Sequence, residues 1–211
     1  MYGTDLRYDG FLATILQHER FRSPLIPDHI RIATWNYDLQ LEKAFYRYSQ
    51  NTQGVFQAIT SNPHVIRVNG LAGLEWPGTF SKYTETALRP FSIETVLISL
   101  EMYSVFVTDI GRPFFNIQFA WEQDPVIFQR NIAPAIEDTT ILIDIGYSFP
   151  FFNRDVDRIL LNCMIKLKKI YIQVLRPEHD AIKSRLQSII SVLPEVQYIY
   201  DEKRFFIPYE L

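Results

Sequence analysis

Hydrophobic and polar residues alternate along the first half of the chain with spacings that predict helices and strands in turn. The predicted elements, in order, are a helix over 4–20, a strand over 29–37, a helix over 38–48, a short strand over 64–70, a loop over 71–90, a helix over 92–108 and an extended segment over 112–122. The loop is predicted because it is rich in Gly, Pro and aromatic residues.

The last third has the clearest pattern, with near-continuous apolar runs between amphipathic segments. We predict a helix over 125–136, a strand over 139–146, a helix over 153–169, a strand over 170–175, a helix over 178–193 and a strand over 196–200. Apolar strands separated by helices indicate a parallel sheet buried on both faces. We therefore predict an α/β fold, a Rossmann-like parallel sheet with helices on both faces. We also predict that residues 1–211 form one domain, in which 72–135 is an inserted helical layer.

The helix over 153–169 has apolar residues at the i, i+3, i+4 and i+7 spacing of an amphipathic helix. Its predicted inner face is Val156, Ile159, Leu160, Cys163 and Leu167. Acidic residues in the first turn and lysines in the last turn would interact favourably with the helix dipole. These residues are Asp155, Asp157, Lys166, Lys168 and Lys169.

Composition and charge exclude several classes of function. Apolar residues make up 47% of the chain, which favours a folded protein, and the net charge of −3 provides no basic surface for nucleic acid or membrane. The single cysteine, Cys163, excludes an internal disulfide and a Cys-rich zinc site. No apolar run reaches the roughly 18 to 20 residues of a membrane span. We predict a soluble, cytoplasmic protein with no metal and no direct nucleic-acid or membrane binding.

Polar residues follow three of the predicted strands, at the point where each strand ends. They are Thr34, Asn36 and Asp38 after the first strand, Asn69 and Gly70 after the second, and Gly146 and Ser148 after the strand ending in "IDIG". Ligands of open α/β sheets bind beyond the carboxyl ends of the strands. We therefore expect the three turns to converge on one rim and to form a nucleotide pocket.

Each turn also has a simpler interpretation. Asn and Asp between a strand and a helix are most often caps, and an Asn-Gly pair is usually a turn. Asn153 and Asp155 are N-cap candidates for the helix that follows them. None of these signals is specific alone. Only their convergence at one edge of the sheet would indicate a site.

Other candidate sites are weaker. The four histidines are scattered without the spacing of a metal site, and we interpret them as surface or structural residues. The segment "NGLAGLEWPG" lacks the Lys-Ser/Thr of a phosphate-binding loop. The segment around Ser148 lacks the final glycine of a hydrolase nucleophile elbow, and no histidine is evident that would form a catalytic triad with Ser148. Phe149, Phe151 and Phe152 are expected to pack rather than to stack on a base.

Four segments, taken in order, resemble the sirtuin-like superfamily, specifically its bacterial NAD-consuming or defence-associated branch. They are "TWNYDLQLE", which is similar to a Thr-x-Asn-Tyr-Asp segment, "VIRVNGLAG" in place of the His-Gly segment, "RPFFNIQFAWE", and "ILIDIGYSFPFFNRDVDRIL" with its Gly-Tyr-Ser-Phe-Pro motif. The resemblance covers roughly residues 25–200, and the first and last of these segments are its most specific parts.

The resemblance implies a role for each matching position. Asn36 would lie against the nicotinamide ribose and help to position water or the ribosyl carbon, with Asp38 close behind it. Gly146 and Ser148 would approach the phosphate and the adenosine ribose. The remaining implied positions are Asn69, which would complete the catalytic set with Asn36 and Asp38, and Thr34, Gly70, Tyr147 and Asn153, which would bind NAD. Cleavage of the glycosidic bond builds positive charge on the ribose, which an amide and a nearby carboxylate stabilise.

The sequence departs from the family pattern in two places. Asn69 replaces the histidine that serves as general base, and an amide accepts no proton near neutral pH, so deacetylation is not expected. The Gly-Ala-Gly-x-Ser loop and its strand, which would stand in the middle of the sheet, have no match before Asn36. A gap there would bury unpaired backbone groups. Either an N-terminal portion is missing, a partner protein supplies the strand, or the flanking strands close up directly.

Two functions therefore stay open. The first is an NAD-binding domain that hydrolyses NAD to nicotinamide and ADP-ribose, in bacterial antiphage defence as the resemblance implies. The second is a catalytically inactive module that senses a nucleotide such as ADP-ribose or binds a protein partner.

Overall fold

The computed structural model describes residues 5–17, 25–48, 64–75, 92–108, 114–117, 119–190 and 192–211. The chain forms two compact units. The first comprises Met1–Asp5, Gln17–Leu25 and Ile32–Phe119. The second comprises Leu6–Leu16, Ile26–Arg31 and Ala120–Leu211.

Helices and strands alternate through the described residues. The helices are α1 (Leu6–Ile15), α2 (Gln40–Tyr48), α3 (Ile93–Thr108), α4 (Pro125–Ile136), α5 (Arg154–Cys163) and α6 (His179–Ile189). The strands are β1 (Ile32–Thr34), β2 (Val65–Arg67), β3 (Gly70–Glu75), β4 (Phe114–Ile117), β5 (Ile141–Ile145), β6 (Lys169–Gln173) and β7 (Glu195–Ile199). Short 3-10 turns lie at Ala120–Glu122, Phe151–Asn153 and Arg176–Glu178.

The first unit contains a parallel pair and an antiparallel pair of strands. β1 pairs with β2 in parallel, so that Thr34 lies opposite Arg67. β3 pairs with β4 in the antiparallel sense. The prediction of a loop over 71–90 is therefore wrong for its first five residues, which belong to β3. Pairing with the apolar β4 overrides the weak strand preference of the two glycines in β3, as tertiary context commonly does in sheets.

Helix α2 buries an apolar face that includes Leu41, Ala44 and Phe45. A charged residue is buried with them. Glu42 is 0% exposed, and its Oε1 accepts a hydrogen bond from Nη2 of Arg67 in β2. Burial lowers the pKa of Arg67 to about 10. This ion pair links α2 to β2, the strand that pairs with β1.

The second unit contains a three-stranded parallel sheet in the order β5-β6-β7. The central strand β6 is the most buried, with Ile170 and Ile172 fully enclosed. Helix α4 begins where Asp124 accepts hydrogen bonds from the backbone N–H groups of Val126 and Ile127, at 2.9 and 3.0 Å. Helices α4 and α6 both pack against α5. Parallel strands with intervening helices are the pattern predicted for this part of the chain.

Helix α5 is shorter than predicted. It ends at Cys163 rather than continuing to 169, and Lys169 begins β6. The N–H of Lys168 donates to the carbonyl of Thr140 at 2.9 Å, which draws this segment into the sheet. Leu167 and the lysines therefore do not lie in the last turn of the helix, and the prediction for them is wrong. Nζ of Lys169 instead lies 3.4 Å from Oε1 of Glu195 and 3.5 Å from Oε1 of Glu210.

The described residues thus form an α/β structure with two small parallel sheets and one antiparallel pair. Within this part of the chain, β1 has β2 as its one neighbouring strand, and β5 has β6 as its one neighbour. None of the described helices is long and apolar enough to cross a lipid bilayer.

Candidate functional site

The first polar turn lies at the carboxyl end of β1. Thr34 Oγ1 accepts a hydrogen bond from the backbone N–H of Asn36 at 3.1 Å. The carbonyl of Thr34 accepts from Val68 N at 2.9 Å, which extends the β1–β2 pairing. The side chain of Asn36 is exposed and forms no hydrogen bond with any residue that the structure describes. The turn therefore fixes the backbone of Asn36 and leaves its amide available to a ligand.

Asn69 brings the second turn to the first. Its Nδ2 donates to the carbonyl of Trp35 at 2.7 Å, and the residue is buried. Gly70 follows with φ of 71°, a conformation that favours glycine, and begins β3. Two of the three predicted turns thus meet at the ends of β1 and β2. Through its hydrogen bond to the Trp35 carbonyl, Asn69 stabilises the backbone next to Asn36.

Asp38 caps helix α2. Its Oδ1 accepts a hydrogen bond from the backbone N–H of Gln40 at 3.1 Å, and the side chain is exposed. The cap is the simpler of the two interpretations that the sequence allows for Asp38. The other Asp38 oxygen is left for a second contact, so its predicted role beside nicotinamide stays a prediction.

Replacing Asp38 with alanine is expected to destabilise the first unit by about 1 kcal/mol, because a first-turn N–H of α2 loses its acceptor. Asp38→Asn keeps a capping oxygen and should cost only a few tenths of that amount. Urea denaturation followed by circular dichroism measures both changes. Equal losses in the two variants would mean that charge, rather than capping, accounts for the effect.

The third turn follows β5 in the second unit. Gly146 has φ of 70°, and Phe149 has φ of 48°, which is strained for a residue with a side chain. Nη1 of Arg185 in α6 donates to the carbonyl of Ser148 at 2.8 Å. The loop from Gly146 to Phe149 is thus held in a conformation that its residues would not adopt alone.

A buried polar cluster holds this loop, and we call it the Tyr147 cluster: Asp144, Tyr147, Asn153 and Asp157. The hydroxyl of Tyr147 lies 2.9 and 3.0 Å from the two carboxyl oxygens of Asp157, and Asn153 Nδ2 donates to it at 2.8 Å. The backbone N–H of Tyr147 donates to Asp144 Oδ1 at 3.2 Å. Asn153 occupies the N-cap position of α5, but its side chain makes no capping bond. The N-cap candidate Asn153 is therefore confirmed by position, although its side chain bonds to the Tyr147 hydroxyl, and the candidate Asp155 is wrong because it lies inside the first turn of α5.

Burial controls the electrostatics of the cluster. It raises the pKa of Asp157 to about 7, although the hydrogen bond from Tyr147 lowers that pKa in part. Burial also raises the pKa of Asp144 well above its usual range, and the nearby charge of Asp157 adds to this effect. The pKa of the Tyr147 hydroxyl is raised by burial and by Asp157, so it stays protonated.

The aromatic residues that follow the loop differ in exposure. Phe149 is buried and packs edge-on against Tyr147 at 5.1 Å, as predicted. Phe151 is 82% exposed and Phe152 is 62% exposed, so the packing prediction is wrong for Phe151. Phe152 contacts the exposed ring of Trp121 edge-to-face, with the ring centres 5.2 Å apart.

No family model, curated protein or solved structure matches this chain. Its function is therefore inferred from the residues and their geometry. Among the described residues, no group of three or more His, Cys, Asp and Glu side chains is arranged to hold a metal ion.

Asp144 and Asp157 were not predicted as site residues, although the sequence carries a signal for each. Asp144 interrupts an otherwise apolar strand. Asp157 precedes Leu160 and Leu161 by one helical turn and therefore lies on the inner face of α5. An acidic residue in an apolar strand or on the buried face of a helix needs a specific partner. Tyr147 is that partner for both residues.

Proposed function

We propose that this chain is a sirtuin-like NAD-binding domain that hydrolyses NAD to nicotinamide and ADP-ribose, in the setting of bacterial antiphage defence. The proposal starts from the resemblance of "TWNYD" and "GYSFPFFNRD" to the NAD-consuming branch. A Rossmann-like fold is part of the same proposal, and the parallel pairing within each of the two sheets supports it.

The observation that carries the proposal is the geometry of Asn36. Its backbone is fixed by Thr34, the carbonyl just before it is held by Asn69, and its amide is exposed. A side chain on such a rigid support keeps its orientation when a substrate binds. An amide offers both a donor and an acceptor, so it orients a water molecule or a ribose hydroxyl.

The chemistry requires little proton abstraction. If the glycosidic bond breaks before water attacks, positive charge develops on the ribose, and the enzyme must stabilise that charge and position the water. Asn36 would position the water, and the carboxylate of Asp38 would favour the charge. Asn69 accepts no proton near neutral pH, which is consistent with hydrolysis of NAD and not with base-assisted deacetylation.

The second function, binding without turnover, is supported by a different observation. Asn69, at the position of the family's base, is buried and already bonded to the Trp35 carbonyl, and Asp38 caps α2. Such a module would bind ADP-ribose or an adenine nucleotide at the turn that contains Ser148. Turnover would then be absent because no group activates the water.

Incubation of the purified protein with NAD tests the two functions. Hydrolysis is expected to release nicotinamide and ADP-ribose in equal amounts, which chromatography measures. Calorimetric binding of ADP-ribose without nicotinamide release would favour the binding module instead. Absence of both turnover and ADP-ribose binding would contradict NAD hydrolysis and nucleotide sensing, and would leave the binding of a protein partner.

A further inference from the structure

The Tyr147 cluster connects the loop after β5 to the start of α5. The loop contributes the hydroxyl and the backbone N–H of Tyr147, the strand contributes Asp144, and the helix contributes Asp157. Asn153 closes the connection from the N-terminus of the helix. Gly146 and Phe149, both with positive φ, lie on either side of Tyr147. The hydrogen bonds of one side chain therefore hold a strained loop closed.

Both carboxyl groups of the cluster are withdrawn from water. Asp157 is 1% exposed and Asp144 is 7% exposed. Asp144 Oδ2 and Asn153 Oδ1 have no hydrogen-bond partner within the part of the chain that the structure describes. A buried acceptor without a donor is costly, and protonation of a carboxylate removes its charge and turns one oxygen into a donor. The arrangement therefore favours a cluster that holds a proton.

No described cation compensates the two carboxyl groups. The titratable and charged side chains on the elements packed against α5, and in its first turn, are Glu122, Arg130, Glu137, Arg154, Asp155, His179, Asp180, Lys183 and Arg185. All are exposed except Arg154, whose guanidinium carbon lies 5.7 Å from the ring centre of Phe151, and His179, which hydrogen-bonds with the hydroxyl of Tyr200. Arg185 donates to the carbonyl of Ser148, and none of these groups forms a hydrogen bond with Asp144 or Asp157.

We propose that Tyr147 and Asp157 are positioning residues that latch the loop from Gly146 to Phe149 while the carboxyl pair holds a proton, and that loss of the proton releases the loop. The latch thereby makes the loop sensitive to pH. Its link to function rests on the proposed function, in which Gly146, Tyr147 and Ser148 bind NAD. The latch itself is a property of the free protein.

The direction of the pH effect follows from burial. The pKa of Asp157 is about 7 in the closed cluster, against an ordinary value of 3.8 in the released loop. The closed state therefore binds more protons than the open state. The stabilisation of the closed state by this proton is complete below about pH 4 and is lost as the pH rises toward about 7. Because burial also raises the pKa of Asp144, deprotonation of Asp144 removes further stabilisation of the closed state at higher pH.

Hydrogen exchange of the peptide over 144–153, without nucleotide, tests the latch. The wild type and Asp157→Asn are compared with each other at pH 5 and again at pH 8. Because both proteins are measured at the same pH each time, the intrinsic pH dependence of exchange cancels. Asparagine is neutral at both pH values and still accepts from Tyr147. Between pH 5 and 8, wild-type protection is expected to fall on the order of tenfold or more relative to Asp157→Asn. An identical ratio at both pH values would overturn the proposal.

Two further variants keep the test decisive if Asp157→Asn folds poorly. Tyr147→Phe at pH 5 is expected to reduce protection to the wild-type level at pH 8, and unchanged protection would refute the latch. Asp155→Asn changes the exposed neighbour on the same helix and should keep the wild-type pH profile. A flattened profile in Asp155→Asn would also refute it. Because no NAD is present, failure here leaves the proposal of NAD hydrolysis standing, and failure of hydrolysis leaves the latch standing.

Discussion

Replacing Asn36 with alanine is expected to reduce nicotinamide release from NAD by at least about a hundredfold, the scale on which a lost positioning or charge-stabilising group acts. The reason is geometric: the backbone at Asn36 is fixed by Thr34 Oγ1, and its exposed amide is the group at the end of β1 that is left to contact a substrate. Chromatographic measurement of nicotinamide gives the rate for each variant. Binding of ADP-ribose to Asn36→Ala should change much less than turnover.

Asn131→Ala is the matched control for this experiment. Asn131 is an exposed asparagine in α4, so the substitution removes the same amide from a position outside the candidate site. Its rate should equal that of the wild type. Wild-type turnover in Asn36→Ala would remove Asn36 from the mechanism, and an equal loss in both variants would point to folding rather than to catalysis.

Replacing Glu42 with alanine is expected to destabilise the first unit by about 3 to 5 kcal/mol, because the cation of Arg67 remains buried without its partner. Glu42 is fully buried, and the side chain of Arg67 is 12% exposed. Burial already lowers the pKa of Arg67, which shows the cost of holding this charge away from water. The midpoint of urea denaturation, followed by circular dichroism, measures the change.

Two comparisons separate the cost of the unpaired charge from other effects. Asp155→Ala removes one partner of the exposed pair with Arg158, 3.3 Å apart, and should change stability by less than about 1 kcal/mol. Joint replacement of Glu42 by leucine and Arg67 by methionine should recover most of the loss, since no charge is then buried. A double variant as unstable as Glu42→Ala would mean that packing, and not charge, accounts for the loss.

Local signals were sufficient for the elements whose ends are set by their own residues. Helix α4 spans the predicted residues because Asp124 caps it and Pro125 occupies its first position. Helix α5 was predicted too long because the lysines after Cys163 continue an amphipathic pattern. The end of α5 depends on the carbonyl of Thr140, a residue of another segment, and no local pattern contains that information.

The same distinction applies to the candidate site. The sequence placed Asn36 and Asn69 at strand ends, and the structure joins their turns through the Trp35 carbonyl. That contact follows from the parallel register of β1 and β2, which the sequence does not specify residue by residue. The burial of Glu42 was not predicted, because the position of a charged residue on a helix does not show which side chain will pair with it.

The conformation of Gly146 has a consequence for redesign of the loop. Its backbone lies in the left-handed region, yet no described heavy atom other than those of Gly146 and its two chain neighbours lies within 4 Å of the place where an L-configured Cβ would stand. The obstacle to L-alanine at this position is therefore handedness and not space. A D-alanine introduced by chemical synthesis would have this backbone conformation as its preferred one, whereas L-alanine would have enough room but a disfavoured conformation.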